Sequence, residues 1–221
     1  MWNPEQYAKF SNERLRPAIE LISRIPNINF KSIIDLGCGN GEITNKLYKQ
    51  FQPKSMVGLD SSNSMLEKTI SLNSEINWHL NNINEFTGSF DLILSNAALQ
   101  WLDEHELLFN KIISHANKAI AIQMPNNFHC PSHVLLRETI SENPNYNKKL
   151  AHTVRKNPVL SKEKYYELFY SKVSYIDIWE TIYLQPINGE NAILEWVKGT
   201  ALVPIKDALS LDDFNEFTMI N

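Results

Sequence analysis

The chain has 221 residues, of which 43% are hydrophobic and 21% are charged, and its formal net charge is −4. A chain of this length and composition buries a full core, so it is neither disordered nor a membrane protein. The negative charge argues against a nucleic-acid partner, because phosphate binding needs a basic surface. Cys38 and Cys130 form no disulfide pattern, and the first residues do not resemble a secretion signal. We expect a cytoplasmic protein, a monomer or weak homodimer, that acts on small molecules.

Helical and strand patterns alternate along the chain. Asn3 and Pro4 favour the start of a helix that Pro17 should end, and a second helix follows up to Arg24. Strands are then predicted over residues 32–36, 55–59, 76–80, 90–95 and 119–123, with helices between them. This alternation is typical of an α/β fold with a doubly wound, mostly parallel sheet and helices on both faces.

We interpret residues 1–221 as a single domain with four segments. Residues 1–25 are predicted to form helices that act as a lid, and residues 30–125 the cofactor-binding core. Residues 126–170 are too long for a simple connection, so we expect them to form a helical cap over the acceptor site after the fifth strand. Residues 171–221 hold a predicted sixth strand at 174–184 and then helices.

The first strand ends in a glycine-rich turn, Asp-Leu-Gly-Cys-Gly-Asn-Gly, at residues 35–41. Glycines permit positive φ and let a ligand approach main-chain N–H groups. Asp60 ends the second strand about 20 residues later, where an acidic side chain accepts hydrogen bonds from both ribose hydroxyls. Asp35 would repel a pyrophosphate but favour an ammonium. The pattern predicts S-adenosylmethionine, whose tail is a zwitterion, rather than a dinucleotide.

Ligands of such sheets bind where the carboxyl ends of the strands meet. Asn82 is expected to accept from the adenine amino group, and the N–H of Ile83 to donate to the ring. Met65 either packs on the purine or is a core residue. The predicted cofactor-binding residues are Asp35, Gly37, Cys38, Gly39, Asp60, Ser61, Met65, Asn82, Ile83 and Asn96.

Several longer segments resemble a known family. They are residues 2–22, the glycine turn, LDSS at 59–62, SNAALQW at 95–101, QMPNN at 123–127, DIWETIY at 177–183 and LEWVKGT at 194–200. In this order they resemble the trans-aconitate 2-methyltransferases, Rossmann-like enzymes that use S-adenosylmethionine. The resemblance implies methyl transfer to a carboxylate of trans-aconitate, giving a monomethyl ester and S-adenosylhomocysteine.

The sequence departs from that family in two places. Asn82 stands where the family usually has an aspartate. Relatives also continue into a terminal antiparallel strand beside the fifth strand, whereas this sequence stops before it. We therefore expect six strands and an exposed sheet edge. Either the sheet rearranges, or a partner chain covers this edge, or the enzyme is truncated and weakened.

The expected acceptor needs no general base, because a carboxylate with a pKa near 4 is already ionised at neutral pH. No catalytic acid or base is therefore assigned, and rate acceleration is expected from positioning and desolvation. The predicted substrate-binding residues are Tyr7, Arg14, Trp101, His133 and Arg137. Arginine grips carboxylates with two parallel hydrogen bonds; for each arginine the alternative is a surface ion pair.

No metal site is predicted, since His129, Cys130 and His133 have no fourth ligand nearby. Two alternatives to the main interpretation stay open. One is a methyltransferase for another small acceptor. The other is a protein that binds the cofactor without catalysis.

Overall fold

The structure is a computed structural model that describes residues 11–69 and 71–220, with the side chains of residues 11–14 and 220 left undescribed. The described chain forms two compact units. The sheet unit contains residues 14–125 and 158–182, and the helical unit contains residues 11–13, 126–157 and 183–220. None of the described helices is long and apolar enough to cross a membrane.

Five strands form the sheet. They are β1 (Ser32–Leu36), β2 (Ser55–Asp60), β3 (Asn77–Leu80), β4 (Phe90–Asn96) and β5 (Ala116–Gln123). All neighbours are parallel, in the order β3-β2-β1-β4-β5. The helices are α1 (Ser11–Arg24), α2 (Glu42–Phe51), α3 (Asn63–Leu66), α4 (His105–His115), α5 (Pro131–Glu142), α6 (Pro144–Leu150), α7 (Lys162–Phe169), α8 (Ala192–Lys198), α9 (Val203–Ala208) and α10 (Leu211–Ile220). The predicted α/β fold is thus confirmed.

Alternate residues of the central strands bury opposite faces of the sheet, as the pleat requires. Ile33 of β1 packs in a core with Leu21 of α1 and Leu47 of α2. Its neighbour Ile34 packs in a second core with Phe109 of α4. Helices therefore cover both faces of the sheet, and ligands of such sheets bind at the carboxyl ends of the strands.

The predicted sixth strand at 174–184 is wrong, because no described residue pairs with it in a ladder. Its central part contacts α1 through side chains instead. The Glu20 carboxylate accepts from Trp179 Nε1 and Thr181 Oγ1, both at 3.0 Å, and the Arg24 guanidinium lies 4.0 Å from the centre of the Trp179 ring. A β-prone segment forms a strand only beside another strand. The described sheet has five strands, none of them antiparallel.

The predicted helix end at Pro17 is also wrong, since α1 runs through it. Proline removes one helical hydrogen bond, but burial of Ala18, Leu21 and Ile22 against the sheet holds the helix together. This part of the predicted lid belongs to the sheet core. Residues 1–10 of that lid lie outside the described residues.

The predicted cap over 126–170 is divided between the two units. Its last helix, α7, packs on α4 of the sheet unit, where the ring centres of Tyr165 and Phe109 lie 4.8 Å apart. The helical unit has a core of its own, in which Tyr146 meets Phe217 edge to face at 5.0 Å. The placement of this unit over an acceptor site stays a prediction.

Gly58 of β2 lies beside Trp78 of β3 in the parallel register. A Cβ built at Gly58 would lie 2.4 Å and 2.5 Å from two atoms of the Trp78 ring. This close approach leaves no room for a Cβ at position 58, in the strand that ends at Asp60.

We expect Gly58→Ala to destabilise the protein by roughly 1–3 kcal/mol, because the added methyl group overpacks against a ring. Trp78→Leu removes that ring, so Gly58→Ala should cost much less in a Trp78→Leu background. Urea unfolding of the two single variants and the double variant measures the coupling. Strictly additive effects would show that the clash does not exist.

Candidate functional site

The turn between β1 and α2 is the first part of the candidate site. Gly37, Gly39 and Gly41 all have positive φ, at 79°, 55° and 76°. The N–H groups of Gly37 and Cys38 both donate to the carbonyl of Leu59, at 2.8 Å and 3.0 Å. The glycine turn is therefore fixed to the end of β2.

The turn after β4 touches the glycine turn from the other side. A Cβ built at Gly37 would lie 2.2 Å from the Cβ of Ala98, so only glycine fits there. Ala97 adopts φ 52°, a left-handed conformation that costs energy for a residue with a side chain. The Ala97 N–H donates to the carbonyl of Gln123 at 3.0 Å, which holds this turn in place.

The Asp60 carboxylate joins the glycine turn to the turn after β2. Its Oδ2 accepts from the N–H of Gly39 and its Oδ1 from the N–H of Ser62, both at 2.8 Å. A carboxylate offers about four lone-pair positions, so these two bonds leave each oxygen able to accept once more. Two adjacent hydroxyls are a suitable pair of donors.

The turn after β3 comes close to the same place. Ile83 is buried, and its Cδ1 lies 3.5 Å from the Cβ position built at Gly37. Asn82 Oδ1 accepts from the N–H of Asn84 at 2.8 Å and thereby caps the short turn Ile83–Glu85. Asn82 thus shapes the backbone here, and its oxygen keeps one lone pair for a ligand.

Two buried amide oxygens at the end of β4 have no hydrogen-bond partner among the described residues. They are Oδ1 of Asn96 and Oε1 of Gln100. Buried acceptors are nearly always paired. Both residues belong to the segment whose Ala98 approaches Gly37, and a ligand bound at this end of the strands would supply the missing donors. The sequence predicts no binding role for Gln100, since sequence alone does not show an unpaired atom.

Asp35 lies under the glycine turn and is 2% exposed. Its Oδ2 accepts from the hydroxyl of Thr44 at 2.7 Å. Burial raises the pKa of Asp35 to about 7, and the Asp60 charge adds to the rise against the opposing Thr44 hydrogen bond. Burial also raises the pKa of the Cys38 thiol, so this side chain is not a nucleophile.

The comparisons with known proteins agree with this geometry. A sequence profile described as a methyltransferase domain matches residues 29–173. Trans-aconitate 2-methyltransferase of Rhizobium meliloti (strain 1021) is 35% identical over 212 residues, which cover 94% of this chain and 82% of the relative. The same enzyme of Acidovorax ebreus (strain TPSY) is 36% identical over 214 residues, covering 95% and 83%.

The chain belongs to the trans-aconitate 2-methyltransferase family. It is an S-adenosylmethionine-dependent methyltransferase. Among solved structures, a chain in the complex between the Haloferax volcanii Trm112 methyltransferase activator and a methyltransferase has a TM-score of 0.58 at 16% identity, covering 76% of this chain and 71% of that chain. That likeness concerns the fold alone.

Three observations show that the residues at this end of the sheet suit an adenosyl ligand. The Asp60 oxygens have unused lone pairs beside the glycine turn. A Cβ built at Gly39 would meet no atom within 4 Å, so the turn leaves space beside it. The oxygens of Asn96 and Gln100 lack a donor. Ser61 is exposed and Met65 buried; their contacts with a cofactor stay predictions.

Of the predicted substrate residues, Trp101 lies in the sheet unit, and His133 and Arg137 lie in the helical unit. Tyr7 and the side chain of Arg14 lie outside the described residues. In the helical unit, Arg137 Nη2 donates to the carbonyl of Phe128 at 2.8 Å, and the His133 ring stacks on Phe128 at 5.7 Å. Burial, and then the Arg137 charge, lower the pKa of His133, so it is neutral at pH 7.

Trp101 lines a cavity of about 350 Å³ in the sheet unit. The cavity wall also includes Asp103 and Glu104, whose carboxylates disfavour a polyanion. This cavity is therefore a poor site for a polycarboxylate, and a role of Trp101 toward the acceptor stays a prediction. The described residues contain no group of three side chains placed to bind a metal.

We expect the stability of this methyltransferase to fall as pH rises from about 4 to about 7 because of Asp35. Its pKa is raised from 3.8 to about 7 on folding, so the folded state binds more protons across that range. Asp35→Asn keeps an acceptor for Thr44 and removes the titration. The free energy of unfolding should therefore fall less between pH 5 and pH 8 in Asp35→Asn, by on the order of a few kcal/mol. Identical pH profiles from urea unfolding would contradict this.

Proposed function

We propose that this chain transfers the methyl group of S-adenosylmethionine to a carboxylate of trans-aconitate. The products would be a monomethyl ester and S-adenosylhomocysteine. The observation that carries the proposal is a match over 94% of the chain, at 35% identity, to a relative named trans-aconitate 2-methyltransferase. The open strand ends of the sheet unit support it, since they offer adenosyl-binding groups.

Different residues would bind different parts of the cofactor. Asp60 accepts from the two ribose hydroxyls with the lone pairs that Gly39 and Ser62 leave unused. Asn82 and the main chain of Ile83 receive the adenine edge. The glycine turn and Asn96 receive the methionine tail. Asp35 supports the turn from beneath, through its bond to Thr44 on α2.

When bound, the cofactor supplies a methyl group on a positively charged sulfur, which an oxygen anion attacks directly. The chain then has no proton to remove, because the acceptor carboxylate is ionised at neutral pH. Its work is to hold the carboxylate oxygen in line with the methyl group and to exclude water, and proximity alone is worth up to about 7–11 kcal/mol.

The chain must attract a polyanion although its net charge is −4. Local cations therefore have to supply the attraction. Arg137 carries a planar guanidinium with five N–H donors, of which the bond to Phe128 uses one. Neutral His133, four residues earlier, adds a donor without charge. We propose that this pair binds the carboxylates that do not react.

The direct test is to incubate the purified protein with S-adenosylmethionine and a panel of dicarboxylic and tricarboxylic acids, and to detect methyl esters by mass spectrometry. We expect a trans-aconitate monomethyl ester. Arg137→Ala should raise KM for the acceptor at least about tenfold, since a hydrogen-bonded charge pair is lost, without changing the Kd of S-adenosylhomocysteine. Lys148→Ala, an exposed cation of the same unit, is the matched control.

Other outcomes identify the alternatives. Ester formation on a different small acid would leave the reaction intact and change the substrate. Tight cofactor binding with no ester from any acid would indicate a binding protein. Unchanged KM in Arg137→Ala would exclude its role as an anion clamp.

A further inference from the structure

Gln100 lies in the short helical turn Leu99–Trp101 that follows β4, and it is 5% exposed. Its Nε2 donates to the carbonyl of Ala97 at 2.6 Å. Because a carbonyl oxygen only accepts, this bond fixes the orientation of the side-chain amide. The group left over is Oε1, a pure acceptor.

Neither Gln100 Oε1 nor the nearby Asn96 Oδ1 has a hydrogen-bond partner among the described residues, although both atoms are buried. An unpaired buried acceptor disfavours folding. Two of them within five residues, on a turn that contains the strained Ala97, indicate a functional site rather than a packing accident. The missing partner has to be a donor.

The topology shows which part of a cofactor reaches this place. In the sheet, β1 lies between β2 and β4. Asp60 is on the β2 side of the glycine turn, and the turn that carries Gln100 contacts it from the β4 side through Ala98 and Gly37. A ligand whose ribose lies on Asp60 and that crosses the glycine turn brings its other end to Gln100. In S-adenosylmethionine that end is the methionine tail.

Two ligands could reach Gln100, the cofactor and the acceptor acid, and only the cofactor carries a hydrogen-bond donor at the expected end. The tail of the cofactor has an ammonium with three N–H donors. Trans-aconitate at neutral pH has three ionised carboxylates and no N–H or O–H to donate. An amide oxygen would repel the acceptor and attract the ammonium. This step rests on the proposed function, because it takes the acceptor to be a polycarboxylate.

We propose that Gln100, together with Asn96, binds the ammonium of the methionine tail. Gln100 is then a residue that makes the site specific for S-adenosylmethionine over adenosine derivatives without an amino acid. The bond from Gln100 to Ala97 holds the amide ready, so little side-chain order is lost on binding.

The test compares two ligands by isothermal titration calorimetry. S-adenosylhomocysteine has the ammonium, and methylthioadenosine has the same adenosine and sulfur without the tail. In Gln100→Leu the Kd of S-adenosylhomocysteine should rise roughly ten- to hundredfold, the usual effect of losing a hydrogen bond to a charged group. The Kd of methylthioadenosine should stay within about twofold of the original value. Gln50→Leu, at an exposed glutamine of α2, is the control and should change neither.

A second variant guards against a folding defect. Gln100→Met removes the acceptor and keeps nearly the same side-chain length and volume, so it should weaken S-adenosylhomocysteine about as much as Gln100→Leu does and leave methylthioadenosine unchanged. Equal weakening of both ligands in Gln100→Leu, or no weakening of either, overturns the proposal. So does unchanged binding of S-adenosylhomocysteine in Gln100→Met.

These results separate this proposal from the proposed function. If the unaltered chain binds S-adenosylhomocysteine but esterifies no acid, the function fails while the ligand comparison still decides the role of Gln100. If the unaltered chain binds neither ligand, both proposals fall. If it forms the ester and Gln100→Leu binds both ligands normally, only the role of Gln100 falls.

Discussion

The Asp60 carboxylate accepts one backbone N–H from the glycine turn and one from the turn after β2, and the candidate site depends on this pair of bonds. The glycine turn has no regular secondary structure of its own, so its position is set by the groups it bonds to. Asp60 and the carbonyl of Leu59 fix it from the same strand. A single strand end therefore both shapes the cofactor turn and offers the acceptors for a ribose.

The opposite side of the glycine turn is set by close packing. Gly37 and Ala98 approach so closely that a Cβ at position 37 would overlap the Ala98 side chain. Ala97, next in the chain to Ala98, adopts a left-handed conformation. Strain of this kind persists only where the surrounding structure enforces it. Asn96 and Gln100 flank this strained turn, and their buried oxygens have no hydrogen-bond partner among the described residues, which is a local energetic cost.

Much of the sheet could be predicted from sequence because its strands are short apolar runs that end in turns. The predicted strand at 32–36 matches β1, and the others differ by at most three residues at an end. The strand predicted at 174–184 is absent from the described sheet, because β propensity does not reveal whether a neighbouring strand exists. Glu20 of α1 accepts a hydrogen bond from Trp179 of this segment instead. The helix end predicted at Pro17 was wrong because the burial of α1 outweighs the loss of one helical hydrogen bond.

The site could be predicted only in part. The glycines and Asp60 form a recognisable spacing, so the sequence places the turn and the strand end beside it. Gln100 and the requirement for glycine at position 58 depend on atoms that meet only in the fold, and no spacing reveals them. For Arg137 the sequence suggested an anion clamp, and the structure adds a bond to Phe128 that the sequence did not indicate.

The most direct measurement is a crystal structure of the chain with S-adenosylhomocysteine. We expect both ribose hydroxyls within about 2.5–3.0 Å of the two Asp60 oxygens, with the bonds from Gly39 and Ser62 intact. A ligand bound elsewhere, or a ribose held by other groups while Asp60 turns away from the glycine turn, would contradict it.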